Sequence, residues 1–323
     1  MALIADLIAL GGAGLSVTEF GSGARPADGA GVVRVGVHRG GPLPVGPLDL
    51  YDILLSVDPA APRPWVGLGE AGLDAAIVDL ESRAEAQPAA VAVAAQVMRM
   101  TLRLPFEDAL ALESLAYSML LASGGFRRWR EANPARDRDE TPVPRVRIDA
   151  GGPELWIRLA RPTRRNAFDA RMRDELCEAL AFALGHPDAP PVNLAGEGPC
   201  FSAGGDLDEF GTASDAGEAH LVRAFRSPAL LLHELGGRVT AHLHGACIGA
   251  GIEVPAAAAR VVARPGAHFR LPEVGMGLIP GAGGTASIPR RVGRRRATWL
   301  AITGAELDLA KALAWGLVDE VAT

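Results

Sequence analysis

The 323-residue chain contains few cysteines, almost no lysine and few aromatic residues, which make up 5% of it. Its three cysteines, Cys177, Cys200 and Cys247, are odd in number and widely spaced. That pattern excludes a disulfide framework and does not support a zinc site, and it is typical of a reducing compartment. We therefore expect a cytoplasmic protein.

Basic charge is also scarce and is carried almost entirely by arginine. The net charge is −6, and Lys311 is the single lysine among 32 basic residues. Without a global basic field, nucleic acid and anionic membranes are not expected partners. Any phosphate group that the protein binds would be held by arginine side chains or backbone N–H groups.

Long apolar runs are absent as well. The apolar stretch at 1–10 contains Asp6, has no basic flank and is followed by two glycines, so it is neither a signal peptide nor a membrane span. We predict a buried helix there and a soluble protein. A hydrophobic content of 49%, with 39 glycines and 24 prolines lacking any period, excludes a disordered or collagen-like chain. The length allows one large domain or two smaller ones.

The patterning divides the chain into four parts. Residues 1–70 are rich in Gly and Pro and carry short apolar runs at 31–37 and 51–55, which predict a β-rich extension of unknown role. Residues 71–132 are helical, with a second helix beginning near Pro88. A third, long amphipathic helix is predicted to end at 123–125.

The last two parts are a linker and an α/β core. A charged linker at 133–144 precedes the core at 145–323. Within the core we predict a hairpin, two helices and two further strands. The hairpin spans 146–148 and 155–159, the helices span 169–184 and 221–235, and the two strands span 192–194 and 239–243.

Two glycine-rich turns, at 200–207 and 244–253, each follow a predicted strand and precede a predicted helical stretch. Small residues let a ligand approach the backbone, and two converging N–H groups would form an oxyanion hole. Either turn alone is also compatible with a purely structural role.

Two carboxylates lie in apolar surroundings, which is unusual for a charge that is neither paired nor functional. Glu253 closes the second turn, and Glu273 follows a Leu-Pro pair. They are candidates for a general acid and a general base. The alternative is an N-cap or a salt bridge to arginine. His242, His244 and His268 lack metal-ligand spacing, so no metal is predicted, and Cys247 is interpreted as a packing residue.

From about residue 156 to 321 the chain resembles the crotonase (enoyl-CoA hydratase/isomerase) superfamily. The motifs, in order, are RNAF at 165–168, FSAGGDL at 201–207, HGACIGAGIE at 244–253, LPE at 271–273, LIPGAGGT at 278–285, ITGA at 302–305 and AWGLV at 314–318. The resemblance implies an α/β fold, a spiral of ββα turns, that binds an acyl-CoA thioester and stabilises its enolate oxygen.

The resemblance also implies roles for individual residues. The oxyanion-hole N–H groups would be those of Gly205 and Ala250, while Glu253 would activate water and Glu273 would protonate the α-carbon. The positions expected along the coenzyme A path are Arg164, Asn166, Ala167, Ala203 and Asp206. No cofactor is implied beyond the coenzyme A of the substrate. Pro255 and the alanines at 256–259 depart from the family pattern and leave the acyl group open.

The order of the modules departs from the family. Its helical cover normally follows the core, but here 84–90 and 107–126, ahead of the core, are similar to that cover. We therefore expect a circular permutation; an unrelated helical extension is the alternative. The resemblance further implies a homotrimer or a dimer of trimers.

The predicted function is hydration of a 2-enoyl-CoA. The alternatives are isomerisation, carbon–carbon cleavage or decarboxylation through the same enolate, or a non-catalytic CoA-binding or scaffold subunit. Because lysine is nearly absent, Arg164 and the cluster at 127–130 are the first groups expected to meet the coenzyme A phosphates.

Overall fold

The structure is a computed structural model that describes residues 13–136, 143–186, 188 and 190–322. The helix predicted at 1–10 and half of the predicted linker, residues 137–142, lie outside the described residues.

The first region is a parallel sheet whose strands follow one another in chain order, joined by loops. Its strands are β1 (Ala13–Glu19), β2 (Gly31–His38), β3 (Ile53–Ser56) and β4 (Val66–Gly67). The valines of β2 at positions 33, 35 and 37 are fully buried. This agrees with the predicted β-rich extension.

The helical region comprises α1 (Glu70–Ala86), α2 (Pro88–Thr101), α3 (Phe106–Leu121) and α4 (Gly124–Ala132). Pro88 occupies the first turn of α2 as predicted, because its missing N–H has no intrahelical partner there. The long helix that was predicted to end at 123–125 ends at Leu121, close to the predicted position. The Ser123 hydroxyl accepts a hydrogen bond from the Phe126 N–H, so these residues begin α4.

The core has a larger and a smaller sheet. Their strands are β5 (Val146–Asp149), β6 (Leu155–Leu159), β7 (Val192–Gly196), β8 (Val239–Leu243), β9 (Ala246–Ile248), β10 (Arg260–Ala263), β11 (His268–Arg270), β12 (Leu307–Asp308) and β13 (Glu320–Val321). The strand order is β13-β10-β8-β7-β6-β5 in the larger sheet and β12-β11-β9 in the smaller. The β5–β6 pair is the predicted antiparallel hairpin, and the other pairs of the larger sheet are parallel.

Helices alternate with these strands. They are α5 (Ala170–Gly185), α6 (Ala216–Phe225), α7 (Pro228–Leu235), α8 (Ala250–Glu253), α9 (Gly284–Val292), α10 (Arg294–Thr303) and α11 (Leu309–Trp315). The single helix predicted at 221–235 is two helices. Ser227 caps α7 by accepting from the Leu230 N–H, and Pro228, which cannot donate to a preceding turn, starts the new helix.

The parallel sheet, the helical region and the α/β core at 145–323 share one cluster of buried apolar side chains. Its members include Val35 from the sheet, Leu73 and Val97 from the helical region, and Leu159, Ile288 and Trp299 from the α/β core. Helix α10 contacts both α1 and α2, and the Arg296 guanidinium donates to the Trp65 carbonyl at 2.8 Å. The helical region therefore packs directly on the core that carries the predicted site.

Among the described residues, no single helix has the length and apolar character needed to cross a membrane. One bent pair, α3 with α4, meets that requirement by length and composition.

Candidate active site

The two glycine-rich turns lie side by side. The Ser202 N–H donates to the Ala246 carbonyl at 3.2 Å, and the Ile248 N–H donates to the Ser202 carbonyl at 3.1 Å. The second turn leads from β9 into α8 as predicted. The prediction that a helix directly follows the first turn was wrong, because the next helix after it begins at Ala216.

Glycine is required where the backbone approaches the other turn or a carboxylate. A Cβ on Gly251 would lie 2.5 Å from the Ser202 carbonyl oxygen. Gly249 has φ +49°, and a Cβ there would lie 2.4 Å from Glu273 Oε1. A side chain at either position would force the backbone apart, so both glycines follow from the close packing of the site.

The predicted oxyanion-hole amides belong to Gly205 and Ala250. Within the described ranges neither N–H has an acceptor in the protein. Both residues line one cavity of about 570 Å³. Buried N–H groups are nearly always paired, so two unpaired ones at a cavity wall are available to an oxygen atom of a ligand.

The two predicted catalytic carboxylates line the same cavity. Glu253 ends α8, and Glu273 begins a short 3-10 helix (Glu273–Met276) after β11. Their side chains are buried, with 2% and 6% exposure. The Glu253 Oε2 accepts from the N–H groups of Ala282 at 2.7 Å and Gly284 at 3.1 Å. The Glu273 Oε2 has no partner among the described residues.

Burial sets the ionisation of this pair. Desolvation, and then the charge of Glu273, raise the pKa of Glu253 well above its ordinary value, while the two amides oppose that shift. Desolvation raises the pKa of Glu273 to about 8. The two side chains are hydrogen-bonded to each other. The pair therefore holds at least one proton at neutral pH, as two close acids in a dry site do.

Helix α3 contributes further residues to the cavity wall, which the sequence did not predict. Glu113 is 2% exposed, and its pKa is raised to about 8, first by desolvation and then by Glu253. Tyr117 lies one turn further on, with the Arg223 guanidinium 5.1 Å from the centre of its ring. The sequence feature that could have identified Glu113 is the presence of an acidic residue on the apolar face of an amphipathic helix.

A second set of buried carboxylates borders the cavity and is paired with arginine. The Arg145 guanidinium contacts Asp169 at 2.9 Å, and Arg161 contacts Asp169 at 3.2 Å and Asp206 at 2.7 Å. Asp169 also caps α5 by accepting from the Met172 N–H at 2.7 Å. This network joins the segment just before β5, the start of α5, the segment just before the RNAF turn and the first glycine-rich turn.

The residues predicted along the coenzyme A path occupy different environments. Asn166 is fully buried; its amide nitrogen donates to the carbonyls at 197, 200 and 201, and its oxygen accepts from the Arg161 N–H. Its side chain therefore shapes the turn and is not open to a ligand. Arg164 is exposed, Ala167 and Ala203 are half-buried, and Asp206 is held by Arg161.

The basic cluster at 127–130 is divided between two environments. Arg127 and Arg128 are exposed, whereas the Arg130 guanidinium donates to the carbonyls of Leu207 and Phe210, both at 2.6 Å. Arg130 therefore fastens α4 to the loop after the first turn. In the part of the chain that the structure describes, no group of three or more His, Cys, Asp or Glu side chains is arranged to hold a metal ion.

Known proteins resemble this chain over its second half. The family model for enoyl-CoA hydratase/isomerase matches residues 155–323, just over half of the chain. A mevalonyl-coenzyme A hydratase from Beauveria bassiana is 32% identical over 175 residues, which are 52% of this chain and 62% of that protein. An enoyl-CoA isomerase/hydratase from Mycosarcoma maydis is 32% identical over 173 residues, 51% of this chain and 63% of that protein. The chain thus spans less than two thirds of these relatives.

Solved structures of enoyl-CoA hydratases also resemble this chain. The enoyl-CoA hydratase from Thermoplasma volcanium superposes with a TM-score of 0.52 at 32% identity, covering 56% of this chain and 72% of that one. The enoyl-CoA hydratase from Mycobacterium smegmatis gives a TM-score of 0.52 at 28% identity, covering 56% and 71%. These similarities confirm the predicted α/β class and the crotonase-like core. The chain belongs to the enoyl-CoA hydratase/isomerase family.

Proposed function

We propose that this protein hydrates a 2-enoyl-CoA to a 3-hydroxyacyl-CoA. The observation that supports the proposal is a single cavity lined by two backbone N–H groups without an acceptor and by two buried, hydrogen-bonded glutamates. The N–H groups suit a developing thioester enolate, and the acids suit addition of water. Relatives named as hydratases agree with this reaction.

In the proposed reaction, a water molecule attacks the β-carbon of the enoyl thioester while Glu253 removes its proton. Electron density moves to the thioester oxygen, which accepts hydrogen bonds from the N–H groups of Gly205 and Ala250. The enolate then collapses and its α-carbon takes a proton from Glu273. One water has been added across the double bond. The hydrogen bond between the two acids lets the proton return from Glu253 to Glu273.

The hydrogen bonds of the two acids support this assignment of base and acid. Two N–H groups donate to Glu253, and such donors stabilise the ionised form. The Glu273 Oε2 has no donor among the described residues, which favours the protonated form. On these donors we assign the negative charge to Glu253 and the proton to Glu273 during the reaction. The hydrogen bond between the two acids acts in the other direction, since it raises the pKa of Glu253 and lowers that of Glu273.

Two further assignments belong to the same proposal. Residues 71–132 would be the helical cover of this module, placed ahead of the core, because α3 forms part of the cavity wall and α1 and α2 pack on α10. Arg164, Ala167 and Ala203 would line the coenzyme A path near the RNAF turn. The exposed Arg164 is the group available there to a phosphate.

The test is the loss of ultraviolet absorbance when crotonyl-CoA is hydrated. We expect Glu253→Gln and Glu273→Gln each to lower kcat/KM by about 10²- to 10⁴-fold, the usual contribution of a general acid or base. The wild-type rate should fall as the pH rises through about 8, because Glu273 then loses the proton that it donates.

The matched control is Glu306→Gln, which alters an exposed glutamate of the core and should keep the wild-type rate. A 3-enoyl-CoA is assayed in parallel to detect isomerisation. No turnover of crotonyl-CoA or longer 2-enoyl-CoA by the wild type, or full rates for both variants, would contradict hydration.

A further inference from the structure

Four consecutive backbone N–H groups at the start of α9 are divided between two carboxylates. Those of Ala282 and Gly284 donate to Glu253 Oε2 at 2.7 and 3.1 Å. Those of Gly283 and Thr285 donate to Glu113 Oε1 and Oε2, both at 2.7 Å. The Thr285 hydroxyl adds a further bond to Glu113 Oε2 at 2.7 Å. Glu113 on α3 and Glu253 on α8 therefore accept hydrogen bonds from alternate amides of the 282–285 turn.

This arrangement leaves the turn little freedom to move. Both oxygens of Glu113 are occupied, so its carboxylate is fixed relative to residues 283 and 285. A Cβ on Gly284 would lie 2.6 Å from the Glu253 Cγ, so the backbone already touches the side chain that it holds. Gly283 has φ +105°, a backbone conformation that favours glycine. A shift that releases Glu113 would also displace the amides on Glu253.

The charged and titratable groups around Glu113 come from several elements. Glu253 lies on α8 and Glu273 follows β11, and the charge of Glu113 raises the pKa of Glu273. Tyr117 lies on α3 itself. From α6, Arg223 faces Glu113, and the His220 ring contacts the neighbouring Ser114 hydroxyl at 2.9 Å. The position and charge of Glu113 therefore bear on both proposed catalytic acids.

We propose that Glu113 is a positioning residue. It holds the 282–285 turn so that two amides converge on the base Glu253, and its carboxylate, where ionised, opposes the ionisation of Glu273. This inference rests on the proposed function for its kinetic consequence. It makes the helical region part of the machinery that orients the base, beyond its role as a wall of the cavity.

The first test is Glu113→Gln, compared with Glu107→Gln as an exposed acid on the same helix. A glutamine has one acceptor oxygen, and its NH₂ group faces an N–H donor. We expect kcat to fall by about 10- to 100-fold, the range for a misplaced catalytic group, with a smaller change in KM. The alkaline limb of the pH–rate profile should move to lower pH, because Glu273 loses its proton more readily. Glu107→Gln should leave both unchanged.

A second pair of variants tests the turn if Glu113→Gln does not fold. Thr285→Val removes the hydroxyl donor and should lower kcat, whereas Thr285→Ser keeps the hydroxyl and should retain the wild-type rate. Equal rates for the two Thr285 variants, or a folded Glu113→Gln with wild-type kcat and an unmoved alkaline limb, would overturn the inference.

An NMR titration, which requires no enzymatic turnover, tests this inference independently of the proposed function. The carboxyl carbons of ¹³C-labelled glutamate are titrated by NMR, and the Glu273 resonance is identified by its absence in Glu273→Gln. We expect Glu273 to titrate at lower pH in Glu113→Gln than in the wild type, and an identical titration would count against the inference. If the wild type hydrates no enoyl-CoA, the proposed function fails while this comparison still decides the charge linkage.

Discussion

Two sets of buried carboxylates border one cavity, and they differ in the groups that compensate their charge. Asp169 and Asp206 contact the guanidinium groups of Arg145 and Arg161 at 2.7 to 3.2 Å. The glutamates at 113, 253 and 273 have no arginine partner among the described residues. They are held by backbone N–H groups, by one hydroxyl and by each other.

The kind of partner that compensates each carboxylate distinguishes acids with a structural role from acids with a chemical role. A guanidinium does not lose its proton in proteins, so it keeps a paired aspartate charged and fixed in place. Backbone amides carry only partial charges, so burial raises the pKa of the glutamates into the range where a proton can be exchanged. We conclude that the first set maintains the geometry of the turns and that the second set is suited to proton transfer.

Removal of a buried arginine should have the largest effect. Arg145→Met leaves the Asp169 charge buried with less compensation, because both side chains of that pair are 4% exposed or less. We expect the free energy of unfolding to fall by about 3 to 5 kcal/mol, measured by urea denaturation. The control is Arg147→Met, two residues further along the chain in β5, whose exposed pair with Glu197 should contribute less than about 1 kcal/mol. Equal losses for both variants would show that the buried guanidinium has no special role.

The next largest effect should come from crowding the amide-held set. Gly284→Ala places a Cβ 2.6 Å from the Glu253 Cγ and pushes the base out of position, so we expect kcat to fall by about 100-fold. Gly72→Ala is the matched helical control, since its Cβ would meet only the Leu68 Cβ, at 3.4 Å. That variant should gain up to about 1 kcal/mol of stability without a change in rate. A wild-type rate for Gly284→Ala would show that the base tolerates displacement.

The smallest expected effect is on the pH dependence of the free energy of unfolding. The folded pKa of Glu273, about 8, lies above its ordinary value of 4.5, so the folded protein binds more protons between these two values. The free energy of unfolding should therefore fall as the pH rises from about 5 to 8. Glu273→Gln removes this term and should make the slope less steep by up to about 1.4 kcal/mol per pH unit. Glu107→Gln should leave the slope unchanged, and an identical slope for Glu273→Gln would contradict a raised pKa.

Local patterns in the sequence predicted much of the fold around the site. The β5–β6 hairpin and α5 follow from alternating and helical periodicities, and the strand-to-helix turn before Glu253 follows from its glycines. The break between α6 and α7 was missed although Ser227 and Pro228 signal it, because the apolar residues on either side continue the same helical pattern.

Contacts between distant residues could not be predicted in this way. Asn166 lies in the predicted motif, but its burial depends on three carbonyls at 197, 200 and 201 that only the folded turns bring to it. Glu113 is an acid on an apolar face, yet its partners are backbone N–H groups, which every residue except proline carries. No residue type marks such a partner in the sequence.

The separation of Glu113 from its partners in the chain has a consequence during synthesis. Gly283 and Thr285 follow it by 170 and 172 residues, which a ribosome adds in roughly 10 to 35 seconds at about 5 to 20 residues per second. Until α9 leaves the ribosome, the part of α3 that packs on α9 is uncovered and Glu113 lacks its amide partners. The wall of the cavity formed by the helical region is therefore complete only after the 282–285 turn has been synthesised.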